Sequence, residues 1–219
     1  MSAPRKPGPL NGITVIDLTR VLAGPYCTLL MAELGARVIK IEEPGKGDDS
    51  REYPPIIQGR PGYFSSVNRN KESVALDLKN PADRGLFEQM LEHADVIAEN
   101  FRPAVMEKLG YGWDSLHARF PRLVYVSISG YGHTGPAAHL PAYDMVIQGA
   151  SGMMSITGDP DGLPCRAGIS IADSTTGMFA AVAVNAALCT ASERARPRRS
   201  TWPCSIACSR CWRPLSDST

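Results

Sequence analysis

Five short apolar runs, alternating with helix signals, constrain this 219-residue chain more than anything else in it. They are residues 13–18 (Ile-Thr-Val-Ile-Asp-Leu), 37–42 (Arg-Val-Ile-Lys-Ile-Glu), 73–78 (Ser-Val-Ala-Leu-Asp-Leu), 95–99 (Asp-Val-Ile-Ala-Glu) and 123–128 (Leu-Val-Tyr-Val-Ser-Ile). Each has the length and β-branched character of a strand buried on both faces. Helix punctuation separates them. Pro25 opens a helix through Leu34 that Gly35 terminates, and Asn80 with Pro81 caps another that runs to about Ala94, with Leu86, Met90 and Leu91 as its apolar stripe. This alternation predicts an α/β fold with a doubly wound, mostly parallel, Rossmann-like sheet, in which ligands sit beyond the carboxyl ends of the strands. The polar, Gly- and Pro-rich stretch 43–71 exceeds what a connector needs and is expected to be functional.

Composition removes several function classes. With 43% hydrophobic residues, 21% charged and a formal net charge of +1, nothing points to nucleic acid or an anionic membrane surface. No apolar run is expected to reach the ~20 residues of a spanning helix. The start, Met-Ser-Ala-Pro-Arg-Lys-Pro-Gly-Pro-Leu, has no apolar signal region. A soluble cytoplasmic protein is therefore expected, with its six cysteines as free thiols. The turn at 19–25, Thr-Arg-Val-Leu-Ala-Gly-Pro, holds one glycine rather than the three that bring backbone close to a dinucleotide pyrophosphate, which argues against a nicotinamide ligand. No dense His/Asp cluster suggests a metal, and no permanently bound cofactor is expected.

The stretch 167–178, Ala-Gly-Ile-Ser-Ile-Ala-Asp-Ser-Thr-Thr-Gly-Met, places one carboxylate, Asp173, between an apolar run and a small-residue helix pattern from Thr175 to Ala191. Alone, such an Asp reads as an N-cap. The rest of the chain gives it a second reading. Residues 9–25 (Pro-Leu-Asn-Gly-Ile-Thr-Val-Ile-Asp-Leu-Thr-Arg-Val-Leu-Ala-Gly-Pro), 34–42, Asn70-Lys71, 76–79 (Leu-Asp-Leu-Lys), 94–103, 129–132 (Ser-Gly-Tyr-Gly), Tyr143-Asp144 and 171–174 (Ile-Ala-Asp-Ser) follow one another along the chain in a distinctive order and spacing. That pattern resembles the family III CoA-transferases, the group that includes formyl-CoA transferase and the carnitine CoA-transferases, from Pro9 to Arg194.

The resemblance implies transfer of CoA from an acyl-CoA donor to a small carboxylic acid acceptor, with Asp173 as nucleophile and CoA as substrate and product. It carries CoA contacts onto Leu22, Ala23, Leu76, Asp77, Leu78, Lys79, Asn100, Phe101 and Arg102, with Phe101 against the adenine and Arg102, Lys108 or Lys79 at phosphates. The plainer reading of these is a core phenylalanine and solvated charges. Tyr143 and Asp144 match a pair near the reacting centre, Asp144 having a helix cap as its alternative. Two positions depart from the pattern: Glu43 where formyl-CoA transferase has a phosphate-facing arginine, and Pro141 where it has a lysine. The related α-methylacyl-CoA racemases use a histidine just before the residue matching Asp144. That position is Tyr143 here, and His133 and His139 are out of register, so transferase is favoured over racemase. Full-length members of the family form interlocked homodimers with a second, small domain.

Residues 1–194 thus read as the N-terminal part of the family's large domain, and residues 195–219 break the pattern. The family's sequence continues from a motif like Ala-Leu-Tyr-x-Arg-Glu-Arg-Thr-Gly-Lys-Gly-Gln into Val-Asp-x-Ala-Leu-Leu-Asp. Here Ala187-Leu188 and Glu193-Arg194 are recognisable, after which codons for Ser200 to Ile206 can be chosen so that a shifted frame reads Val-Asp-Met-Ala-Leu-Leu-Asp. Cys204, Cys208 and Cys211 spell the cysteine triplet of radical iron–sulfur enzymes, but only eight residues follow Cys211, so a cluster is not expected. The tail has no periodic apolar face and is expected neither to form a domain nor to replace missing structure. A non-enzymatic CoA-binding fragment is the competing reading.

Overall fold

The computed structural model describes residues 8–194 and 199–203. In chain order the elements are β1 (Thr14–Asp17), α1 (Ala23–Glu33), β2 (Arg37–Glu42), a 3-10 turn (Asp49–Glu52), the hairpin β3 (Ile56–Ile57) and β4 (Arg60–Pro61), α2 (Gly62–Asn68) and β5 (Glu72–Ala75). There follow α3 (Pro81–Glu92), β6 (Val96–Glu99), α4 (Val105–Leu109), α5 (Trp113–Arg119), β7 (Val124–Ser129), α6 (Asp144–Ala150), a second 3-10 turn (Met153–Ile156), α7 (Ile171–Arg194) and β8 (Arg199–Pro203). The main sheet is parallel throughout, in the order β5-β2-β1-β6-β7-β8.

All five expected strands are present; β1, β2, β6 and β7 send alternate residues into the two cores, whereas the edge strand β5 packs only Val74. On one face Val15, Val38, Val96, Ala98, Val124 and Val126 pack against α1 and α7 through Cys27, Met31, Ala180 and Val184. On the other, Ile16, Ile39, Ile97 and Tyr125 pack against Phe87, Leu91, Met106 and Leu116 of the α3–α5 layer. Helices on both faces of a parallel sheet make the doubly wound architecture.

The helix ends follow the expected chemistry. Asn80 accepts a hydrogen bond from the Ala82 amide at 2.9 Å, and Gly35 leaves α1 at a φ of +100°. Three expectations are corrected. In α3 the buried pair is Phe87 and Leu91, while Leu86 is exposed, because the helix is rotated to set the larger aromatic ring against Tyr111. The third strand ends at Ala75: Asp77 accepts the Lys79 amide at 2.9 Å and Asp83 accepts the Asp77 amide at 2.8 Å, closing a turn where the run was expected to continue as strand. Within the 195–219 tail, Arg199–Pro203 adds a sixth parallel strand beside β7, in register Tyr125↔Arg199 to Ser129↔Pro203. Parallel pairing is made by backbone groups, so it places few demands on side-chain identity. Cys204, Cys208 and Cys211 lie outside the described residues.

Against the expectation that no apolar run would suffice, Ile171–Thr190 has the length and composition of a membrane span. Here Ala180, Ala181 and Val184 of that stretch are core residues packed with α1 and the sheet.

Candidate active site

The strand order reverses between β1 and β6, and a cleft of about 300 Å³ opens beyond their carboxyl ends. Leu22 and Ala23 from the start of α1, Asn100, Phe101 and Arg102 after β6, Tyr143 before α6, and Asp173 in α7 line it. A second cavity of about 370 Å³ adjoins it, lined by Leu76, Asp77, Leu78 and Lys79 and sharing Arg20, Phe101 and Arg102 with the first. The groove thus runs from the β5–α3 turn to Asp173.

The turn between β1 and α1 is held with unusual completeness. Thr19 N–H donates to Asp17 Oδ1 (2.9 Å), and Lys40 Nζ donates to the Thr19 carbonyl (2.6 Å). Asn100 exchanges two hydrogen bonds with the Arg20 backbone, at 2.7 and 2.8 Å. Val21, at a φ of +67°, donates its N–H to Asp48 (3.2 Å), and Asp48 is itself ion-paired with buried Lys40 at 2.9 Å. Asn100 therefore lines the cleft while its side-chain amide braces the Arg20 backbone. Below it, Lys71 Nζ reaches Asp17 (3.0 Å), Thr28 (2.8 Å) and Asn68 (2.9 Å). Burial alone would raise the Asp17 carboxyl, but the Lys71 and Lys40 charges and its hydroxyl donors hold it at about 2.

Asp173 is not an N-cap. α7 begins at Ile171, so Asp173 sits in its first turn. The close packing of α7 on α1 requires Gly177, where a Cβ would lie 2.7 Å from the Ala23 carbonyl oxygen. That contact brings Asp173 beside Ala23 in the cleft wall. Among the described residues no donor reaches the Asp173 carboxylate, and burial first, then the neighbouring Asp144, push it up to about 7. Asp49, the other carboxylate lining the cleft, is paired with Lys46 at 2.8 Å. Such a carboxylate, half-buried and without donors, suits nucleophilic attack or proton abstraction.

The other positions singled out from sequence divide between those off this lining and those on it. Lys108 is exposed on α4, whose Val105 and Leu109 wall the second cavity instead. Asp144 directs its carboxylate to the α7 amides of Ala172 (2.8 Å) and Asp173 (3.2 Å), capping a helix other than its own. Glu43 lines the second cavity beside Arg20 (3.7 Å), and Pro141 lines the first. His133 pairs with buried Ser127, next to Glu99, and His139 is exposed; among the described residues no histidine lines either cavity. Among the described residues no group of three His, Cys, Asp or Glu side chains is arranged for a metal. Arg20 and Gln148 escaped the sequence reading. Their signals were local: a cation inside the β1–α1 turn, and an amide one helical turn after Asp144.

Comparison with known proteins places the chain in one family. The family model described as CoA-transferase family III matches residues 10–196. The chain is 51% identical over 189 residues to an acetyl-CoA:oxalate CoA-transferase of Acetobacter aceti, covering 85% of this chain and 49% of that protein. It is 42% identical over 181 residues to a succinyl-CoA:glutarate CoA-transferase of Homo sapiens, covering 82% and 41%. A CaiB/BaiF family protein from Brucella suis superposes with a TM-score of 0.90 at 37% identity, over 94% of this chain and 55% of that one. The chain spans about half the length of the curated relatives it matches. With the family match running from the first strand to the end of α7, the chain belongs to CoA-transferase family III.

Proposed function

We propose that this chain carries the nucleophile and much of the CoA groove of an enzyme that moves CoA from an acyl-CoA to a carboxylic acid. The observation that carries this reading is Asp173, a carboxylate without donors facing a groove at the switch point of the sheet. An Asp173 oxygen attacks the thioester carbonyl; the C–S bond breaks, giving a mixed anhydride and CoA thiolate. The thiolate attacks the aspartyl carbonyl, expelling the donor acid as carboxylate and leaving an aspartyl–CoA thioester. An acceptor carboxylate attacks that thioester to form a second anhydride, and the released thiolate attacks its acyl carbonyl, yielding new acyl-CoA and free Asp173. Apolar walls from Leu22, Ala23 and Phe101 limit water, which would hydrolyse both intermediates. Arg20 and Arg102 supply positive charge for phosphates or carboxylates.

The names of the relatives favour dicarboxylic acids such as oxalate and glutarate as acceptors. The absence of a cleft histidine among the described residues weighs against the racemase alternative. We further propose that the full-length form works as a cytoplasmic homodimer, and that the 219 residues alone bind CoA without turnover. The test is covalent trapping in a chain extended past residue 194 by the C-terminal half of a family member. With acyl-CoA and hydroxylamine, Asp173 is expected to become a hydroxamate visible by peptide mass. Full transferase activity in Asp173→Ala would overturn the assignment.

A further inference from the structure

An acid in the first turn of a helix ordinarily folds back onto the free N-terminal amides, which stabilise its ionised form and blunt its reactivity. At α7 that route is closed. The Ile171 amide donates to Ile169 O (2.9 Å), those of Ala172 and Asp173 donate to Asp144 Oδ1 (2.8 and 3.2 Å), and that of Ser174 donates to Ser170 O (3.0 Å). No backbone amide of the first turn remains to solvate the Asp173 side chain. Behind this arrangement stands Gln148, fully buried and one turn along α6. Its Nε2 donates to Asp144 Oδ2 (2.6 Å) and to Ile169 O (3.3 Å), and its Oε1 accepts the Ala167 amide (2.8 Å). Two polar side chains on one short helix thus stitch down the whole entry to α7 and satisfy each other's hydrogen bonds in doing so.

We propose that Asp144, braced by Gln148, is a positioning residue for Asp173: it occupies the helix-terminal amides so that the Asp173 carboxylate stays unsolvated and faces the cleft. The inference rests on Asp173 being the reacting carboxylate. The charged or titratable groups facing Asp173 are Asp144 and Tyr143 at α6, Tyr63 of α2, Arg20 of the β1–α1 turn, Asp49 of the first 3-10 turn, and Arg102 after β6. Asp144 is the one of these that binds the α7 backbone.

The experiment follows the Asp173 carboxyl carbon by 13C NMR through a pH titration of the 219-residue chain, the resonance being assigned by its loss in Asp173→Asn. Two variants separate charge from capping. Asp144→Asn keeps an oxygen for the amides but removes the charge, whereas Asp144→Ala removes both. The midpoint is expected to fall in the order wild type, Asp144→Asn, Asp144→Ala, the last by about one pH unit or more. A cap with only a structural role would lower the melting temperature and leave the Asp144→Asn and Asp144→Ala midpoints equal, the Asp144 charge alone accounting for their common distance from wild type, and that result would overturn the proposal. Should Asp144→Ala not fold, Gln148→Ala decides it, since it keeps the Asp144 charge and loosens the brace: its midpoint is expected below that of wild type, and an equal midpoint would overturn the proposal. Trapping at Asp173 reads the underlying mechanism independently: its failure with the midpoint order intact would count against the nucleophile and leave the positioning role standing.

Discussion

Asp173 and Lys71 show how burial sets opposite demands on two charged side chains. The folded state holds the Asp173 proton more tightly than the unfolded chain does, its carboxyl moving from 3.8 to about 7. Its contribution to stability is therefore fully present below pH 3.8 and lost as pH rises to about 7. Asp173→Asn is expected to melt higher than wild type, by a margin that widens from pH 5 to pH 7 and then stays constant; a margin independent of pH would refute the burial argument. Lys71 is the reverse case, a buried cation satisfied by Asp17, Thr28 and Asn68. Lys71→Met strands the Asp17 carboxylate and is expected to cost about 3–5 kcal/mol in denaturant unfolding, with Asp17→Asn added to it recovering part of the loss. If the single substitution proved neutral, the network would not be what holds the β1–α1 turn.

Among the elements, α1 and α7 carry the site. They approach tightly at Gly177, where an added methyl group would press on the Ala23 carbonyl at 2.7 Å. Gly177→Ala is expected to destabilise by about 1–3 kcal/mol and to reduce trapping at Asp173, since the first turn of α7 must move away from α1. Gly85 in α3 provides the contrast, with nothing within 4 Å of its added Cβ. Gly85→Ala is expected to stabilise by up to about 1 kcal/mol through helix propensity, leaving the cleft unchanged. Chemical denaturation of the two variants side by side checks both. Equal effects would mean that helix propensity, and not the α1–α7 approach, governs these positions.

At the scale of the whole molecule, several large apolar side chains lie open to solvent. Leu163 is 85% exposed, Tyr143 72%, Val182 67%, Ile169 64% and Met145 56%. Exposed apolar groups in such number favour association. The 219-residue chain is expected to self-associate with rising concentration under reducing conditions, as read by light scattering after size exclusion. Val182→Glu, on the exposed side of α7, is expected to weaken that association without lowering the melting temperature. A monodisperse wild-type monomer at high concentration would show that this surface needs no cover.

What the amino-acid sequence alone determined here is local in origin. Strand runs, helix caps and glycine stops act over a few residues, and the buried parallel strands show as short apolar runs because both of their faces meet helices. The family pattern then singled out Asp173. Decisions taken between distant segments were not legible. Lys40 reads as a solvated strand lysine, yet it is 1% exposed because Asp48 and the Thr19 carbonyl meet it across the fold. Asp144 caps a helix that begins 27 residues later, which no capping rule along the chain can foresee. The sixth strand forms from an unpatterned tail, its backbone offered a free sheet edge beside β7. Side-chain pattern acts along the chain, whereas hydrogen-bond partners and desolvation are settled only when the chain comes together. In this protein those later choices placed Asp173 in the cleft and left its carboxylate bare.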